Sequence, residues 1–340
     1  VRLCFALFHG IAMKPVTIVG GGLAGLRLGI GLREHGVPVT IYEAGYYPRH
    51  RVCGEFISGA GQRTIEQLGI ATQKAQTAAF FSGPDKCWQF DLPQPALCIS
   101  RYDLDKALAD TFCAGGGKLM CGTRVHLSGE GTIHATGRRL HPIENGWRWF
   151  GLKAHAMGIE LKADLEMHLV PSGYIGLCRL PGGRINACGL FRKRAGENGR
   201  VTLADSLGPR FKHARWIEGT HTAVSGLCFC APQTAGQGVE SRTPVPEPHI
   251  GDANAMIAPL TGNGMSMAFE SAEAAVEPLL RHARGDQNWR EAVQEIHDAL
   301  SGFRVRLDWG KRLQWAAFHP WLLSFCARAG LPKLLFAATR

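Results

Sequence analysis

The spacing of apolar positions changes along this chain, and each change marks a boundary. Val16-Thr-Ile-Val19 is a β-branched run that reads as a short buried strand. Leu26 to His35 spaces its apolar residues as a helix does. After Gly36, Val39 to Tyr42 reads as a second strand ending in Glu43. Gly45 to Gly54 is loop, Gly61 to Leu68 a helix, and Phe80 to Pro95 strand-like with prolines as punctuation. Ser100 predicts a helix cap, with Asp103 completing an S-x-x-D box. Tyr102, Leu104, Leu108 and Phe112 form the helix's apolar stripe, and Gly115 to Gly117 end it. Lys118 to Val125 and Gly131 to Ala135 read as strands.

From Trp147 the period shortens to that of half-buried strands. Trp147–His155, Glu160–Val170, Tyr174–Leu180 and Arg184–Phe191 read as successive antiparallel strands, with a hairpin turn at Pro181-Gly182-Gly183. Thr202 to His213 reads as helix, Thr220 to Cys230 as strand, Ala231 to Pro248 as loop and His249 to Gly251 as one short strand. Asp252 to Gly264 is loop, Met265 to Arg281 helix, and helical pattern runs from Asn288 to Leu313. The expected fold is α/β: a Rossmann-type dinucleotide-binding domain (14–75, 98–140 and 246–285), interrupted by an antiparallel β-sheet substrate domain (76–97 and 141–245). C-terminal helices (286–340) follow.

Between the first strand and helix, Gly20, Gly22 and Gly25 fall in the G-x-G-x-x-G spacing. Gly20 permits the tight turn, Gly22 lets a pyrophosphate approach the backbone, and Gly25 lets the helix lie close to the strand. The helix N-terminus offers free N–H groups and a positive dipole end to the phosphates. Glu43 stands where a carboxylate accepts bonds from both hydroxyls of a ribose.

Composition changes this picture little: 45% of residues are hydrophobic and 19% charged, and no apolar run approaches a membrane-spanning length. Val1 to Met13 reads as an extension upstream of the folded domain rather than a signal peptide, which makes a cytoplasmic setting the expectation. The 11 cysteines are scattered without a C-x-x-C pair, so neither a zinc site nor a disulfide framework is expected. The net charge of +10 is concentrated late in the chain. Arg304, Arg306, Lys311, Arg312, Arg328, Lys333 and Arg340 face Asp308 alone, among Trp309, Trp315, Trp321, Phe318 and Phe325. Such a tail either packs as a helical lid with solvated charges or rests on an anionic membrane surface or an acidic partner. Nothing beyond charge points to nucleic acid.

A second segment, His249-Ile-Gly-Asp-Ala-Asn-Ala-Met-Ile-Ala-Pro-Leu-Thr-Gly-Asn-Gly, sharpens the nucleotide reading. With it the chain resembles FAD-dependent oxidoreductases of the para-hydroxybenzoate hydroxylase fold, and within them the geranylgeranyl reductase and related monooxygenase group. The resemblance implies FAD as cofactor, with Gly251 and Asp252 at the ribityl chain. It lays the loop Pro259 to Gly264, with Gly262, Asn263 and Gly264, along the flavin ring. A helix N-terminus there stabilises the anionic reduced flavin. Arg101 matches an arginine near the cofactor phosphates and ribityl chain, and Thr136-Gly137 a segment passing the adenosine. Pro48 to Gly54 matches the P-x-x-x-x-C-G pattern of the reductases and puts Cys53 at the junction of flavin and substrate. A thiol there serves either as a weak proton donor or as a small pocket wall.

Other features bear on the chemistry. Tyr174, Pro181, Asn186 and Gly189 depart in spacing from the reductases' substrate motif. Trp147-Arg-Trp149 resembles the start of the flavin halogenase signature W-x-W-x-I-P, but Phe150-Gly151-Leu152 breaks it, so halogenation is not expected. Trp149, Lys153 and His155 are candidates for lining or orienting substrate from one strand face. With no second G-x-G-x-x-G, NAD(P)H would visit transiently as reductant, or electrons would come from another protein. The favoured expectation is a monooxygenase hydroxylating a small lipophilic or phenolic metabolite through a flavin hydroperoxide. A saturase or dehydrogenase acting on C=C bonds is the alternative, and a non-catalytic prenyl or lipid binder the third.

Overall fold

A computed structural model describes residues 13–59, 61–83, 87–138, 143, 146–197, 201–227 and 245–319. Among them the strands form two sheets. The first is parallel and four-stranded, built from β1 (Val16–Val19), β2 (Val39–Tyr42), β6 (Lys118–Met120) and β7 (Thr132–His134) in the order β6-β2-β1-β7. The expected strand at His249 is a single bridge to His134, extending this sheet by one pair.

The second sheet contains β3 (Phe56–Ile57), β4 (Gln73–Ser82), β5 (Cys87–Cys98), β8 (Trp147–Met157), β9 (Leu165–Val170), β10 (Gly173–Arg179), β11 (Ile185–Arg194), β12 (Arg215–Trp216) and β13 (Thr222–Ser225). It is antiparallel except where β4 meets β9 in parallel. The Pro181-Gly182-Gly183 turn joins β10 to β11, with both glycines at positive φ. Phe80 to Pro95, expected to be irregular and strand-like, falls on β4 and β5, which pair antiparallel, apart from residues 84–86, which lie outside the described residues.

Helices α1 (Leu23–Glu34), α2 (Gly61–Gln67), α3 (Arg101–Ala114), α4 (Leu203–Leu207), α5 (Gly264–Arg284), α6 (Trp289–Ser301) and α7 (Arg304–Ala317) complete the chain. α1 is buried from Leu23 to Leu32 except at Arg27 because it lies on β2 and packs against both α3 and α5. A Cβ at Gly29 would stand 2.8 Å from both Ile41 and Phe112, so glycine is what lets helix and sheet touch there.

Several boundaries differ from expectation for local reasons. The helix over 202–213 stops at Leu207, because Gly208 turns to φ 75° and Pro209 follows. The pattern over 288–313 splits at Gly302 into α6 and α7. The strands expected from Lys118 to Val125 and Glu160 to Val170 shorten to β6 and β9. The S-x-x-D box is half made: Ser100 Oγ accepts from Tyr102 N–H, while Asp103 pairs with Arg184 at 3.2 Å. Residues 228–244, covering the end of the expected strand at Cys230 and most of the following loop, and the tail from Pro320 lie outside the described residues.

Candidate active site

β1 ends in the glycine turn, and the open ends of α1 and α5 face one cleft with about 1110 Å³ of empty space. Its walls include Gly22 to Ala24, Arg51 to Gly54, Arg101, Gly137-Arg138, Gly251-Asp252, Pro259, Gly262 and Gly264-Met265. Gly20 and Gly25 are packed shut: a Cβ on Gly20 would lie 2.3 Å from the Ala135 carbonyl oxygen, and one on Gly25 2.0 Å from that of Gly20. Gly22 is the opposite, with nothing within 4 Å of a Cβ. No side chain caps α1 at Gly22 or α5 at Asn263, so the first N–H groups of both helices point into the cleft.

Glu43 is held in place. One oxygen accepts from Gly21 N–H at 2.9 Å and the other from Gly45 N–H at 2.8 Å, with Arg49 at 2.6 Å. These bonds and the Arg49 and Arg51 charges outweigh the desolvation that opposes them and hold the carboxyl below its usual range. Arg101 is partly buried and fixed by a bidentate pair with Asp105 at 2.6 and 2.9 Å. Arg51 also reaches Asp105, at 3.7 Å, and burial plus the neighbouring Arg101 charge push Arg51 down. Burial pushes Asp252 up, against Arg138, Arg101 and Arg51. The cleft is therefore a crowd of guanidiniums short of negative charge, with Arg138 Nε buried and without a hydrogen-bond partner among the described residues. Thr136 is exposed and is not among the residues lining the cleft, whereas its neighbours Ala135 and Gly137 are.

Beside the cleft lies a smaller, mostly apolar cavity with about 590 Å³ of empty space, on the face of the second sheet. Gly151, Met167, Tyr174, Gly176, Cys188, Gly189, Leu190, Val224 and Leu227 line it. Val52, Cys53, Gly54, Phe56, Arg138, Met256 and Pro259 line both spaces, so cleft and cavity adjoin along these residues. Cys53 thus stands at the junction. Burial pushes its thiol up against the opposing charge of Arg101, which keeps it protonated at neutral pH. Trp149 packs beside this cavity against the cluster of Tyr174, Leu190 and Leu227.

Lys153 and His155 sit elsewhere. The alternation of β8 that points Gly151 into the cavity carries these two beneath the Cys53-Gly54-Glu55 segment, where they meet Glu55 and not the cavity. Glu55 Oε1 forms an ion pair with Lys153 Nζ at 3.1 Å and accepts from Arg101 N–H at 2.9 Å; His155 Nε2 lies 2.6 Å from Oε2. Lys153 Nζ also lies 3.0 Å from His50 Nδ1. His155, Lys153 and the neutralising bonds overcome the desolvation of Glu55 and hold it ionised, below its ordinary value. His50 is pushed down to about 4 by burial and by the Lys153 and His155 charges. Glu55 carries all this at φ 57°, a left-handed backbone that is rare for a residue with a side chain. Asn186 adds a hydrogen bond from its amide to the Cys53 carbonyl at 3.0 Å. The segment shared by cleft and cavity is thus bolted to the second sheet by a fully buried ionic cluster.

Sequence reasoning did not single out Glu55, Arg51, Arg138 or Phe56 as site residues. Glu55 had a signal, since it ends the run that contains Cys53 and Gly54. Phe56 packs where a Gly262 Cβ would sit, 2.1 Å away, and that contact is invisible in sequence.

No protein-family model matches the chain. Monooxygenase 1 of Arabidopsis thaliana is 30% identical over 109 residues, and menaquinone reductase of Mycolicibacterium smegmatis 24% over 119 residues. These stretches cover 29% and 32% of this chain, and only 28% and 29% of those relatives' length. The solved structure of flavin-dependent brominase Bmp2 aligns over 95% of this chain and 93% of its own, with TM-score 0.73 and 17% identity. The fold is that of FAD-dependent oxidoreductases. A geranylgeranyl bacteriochlorophyll reductase-like protein from Thermoplasma acidophilum shares it, at TM-score 0.64 and 16% identity over 96% of this chain and 91% of that one. The resemblance to this group read from the sequence therefore holds. The residues fit FAD as well: the unfilled approach at Gly22 suits a pyrophosphate, as do the cationic walls and the orphaned Arg138 nitrogen. Glu43 lies beside the glycine turn with both oxygens already paired and is not among the residues lining the cleft, whereas the α5 N-terminus suits the electron-accepting end of the ring.

Proposed function

We propose that this chain is an FAD-dependent monooxygenase that hydroxylates a small lipophilic or phenolic metabolite. The observation that carries this reading is the apolar cavity that adjoins the cofactor cleft and shares Cys53 and Pro259 with it. When bound, FAD supplies electron transfer and oxygen activation. The overall balance is RH + O₂ + NAD(P)H + H⁺ → ROH + H₂O + NAD(P)⁺, with NAD(P)H the external reductant.

The chain's own residues supply binding, orientation and exclusion of water. Gly22 and the α1 N-terminus would hold the pyrophosphate with Arg51 and Arg101, and Asp252 the ribityl hydroxyls. The N–H groups at Gly264 and Met265 would hold the ring and favour negative charge on it. Met167, Leu190, Val224 and Leu227 give the cavity an apolar lining, which disfavours water where oxygen insertion would occur. Cys53 is a protonated thiol at that junction, suited to fill space and to lend a weak hydrogen bond. Lys153 and His155 act on the same segment through Glu55, as positioning residues.

The second reading, reduction or dehydrogenation of a C=C bond, draws on the likeness to menaquinone reductase and to the reductase-like structure. Incubating the FAD-loaded protein with NAD(P)H and a panel of phenols and quinones under ¹⁸O₂ separates the two. A product carrying one ¹⁸O supports the monooxygenase; a product differing only by two hydrogens supports the second reading. No flavin uptake would leave a binding protein.

A further inference from the structure

The outer face of α7 has a composition that its fold does not explain. Val305, Trp309 and Trp315 are 64%, 40% and 58% exposed, and Arg304, Lys311 and Arg312 are exposed among them. At helical spacing these six share one continuous face that includes a single acid, Asp308. The Arg312 guanidinium lies 5.4 Å from the Trp309 ring centre. Arg304 occupies the positive end of the helix dipole, and the first turn holds no acidic residue to relieve it. Local stability does not account for that choice.

The inner face of α7 ties this surface to the site. Gly310 lies against Ile257, Ala258 and Thr261 of the loop over 257–264. Phe318, which ends the helix, packs edge-on to Trp149 at 5.2 Å and near Tyr174, against the cavity lining. Arg192 lies between the Phe318 and Trp147 rings, 4.1 and 4.3 Å from their centres.

We propose that this face of α7 docks the protein on an anionic phospholipid bilayer, with the tryptophans at the headgroup boundary and the basic residues on lipid phosphates. Tryptophan beside arginine and lysine on an amphipathic helix is the chemistry of that boundary. Charge complementarity selects the occupant: a second copy would bring the same cations face to face, in a chain of net charge +10. Docking here places the cavity next to the pool in which a lipophilic substrate dissolves. That consequence rests on the proposed function, but vesicle binding is read without turnover and stands or falls separately.

The test is co-sedimentation of the full FAD-loaded chain with vesicles of phosphatidylcholine alone and of phosphatidylcholine mixed with phosphatidylglycerol. Partition onto the mixed vesicles alone, weakened by added salt, is the expected result. Arg304→Gln, Lys311→Gln and Arg312→Gln together should lower that partition roughly a hundredfold, about fivefold per basic residue. Trp309→Ser with Trp315→Ser should lower it independently, and flavin content and helicity should stay unchanged in both variants. No partition, equal partition onto neutral vesicles, or a triple variant that binds like the parent overturns the proposal. So does dimerisation in sedimentation velocity that the triple variant abolishes while vesicles bind neither protein, since the occupant would then be a second copy.

Discussion

Gly20 and Gly22 belong to one turn and have opposite reasons to be glycine. A side chain at Gly20 would collide with the Ala135 backbone at φ 110°, so Gly20→Ala should cost about 1–3 kcal/mol of stability in urea unfolding. Gly22→Val meets no protein atom; it should fold like the parent and fail to bind FAD in a fluorescence titration. Glu55 is the other residue on which much depends. Glu55→Ala strands the buried Lys153 charge and should cost about 3–5 kcal/mol, whereas Glu55→Gln with Lys153→Met should recover part of it. The pH dependence follows from two depressed values. The folded chain binds fewer protons than the unfolded one at His50 below about 6.5, and at Glu55 below 4.5. Stability should therefore be full at pH 7, fall from about pH 6.5 to 4 through His50, and fall again at lower pH through Glu55. Urea midpoints across that range check it, and His50→Gln should flatten the upper part.

α5 and α7 meet the loop over 257–264 from different sides. α5 presents its N-terminus to the cleft, and α7 backs the loop at Gly310. A Cβ at Gly310 would already lie 3.1 Å from Ile257. Gly310→Leu should therefore shift α7 off the loop and speed flavin release roughly tenfold, with helicity retained. Measuring release by the return of flavin fluorescence checks this; an unchanged rate would mean that α7 does not brace the loop. At the same scale α4 shows what ends an element: Gly208 and Pro209 stop a helix whose polar and apolar pattern continues to His213.

For the molecule as a whole, cleft and cavity share a segment bolted to one sheet and opened by the other, so cofactor binding reaches both sheets. FAD at a hundredfold excess over its Kd should add about 2.7 kcal/mol. That corresponds to a rise of roughly 5 °C in a single thermal transition. Gly22→Val should show no rise, and two separate transitions would mean that the sheets unfold independently. Among the described residues no helix is long and apolar enough to cross a membrane.

The sequence by itself determined the parallel sheet, the glycine turn, Glu43 and the loop from Asp252 to Gly264. Each is a local device in which a few adjacent residues set backbone and chemistry together. The antiparallel character of the second sheet was equally legible, because alternation and a Pro-Gly-Gly turn are local signals. Only the tertiary structure decided which side chains meet across the domains. Lys153 and His155 looked like substrate ligands on one strand face, yet the register of β8 carries them past the cavity to Glu55. Arg51 and Arg138 became cleft residues, and Phe56 the support of Gly262, by contacts between segments far apart in the chain. Burial and pairing depend on three-dimensional neighbours, and no spacing along one chain encodes them.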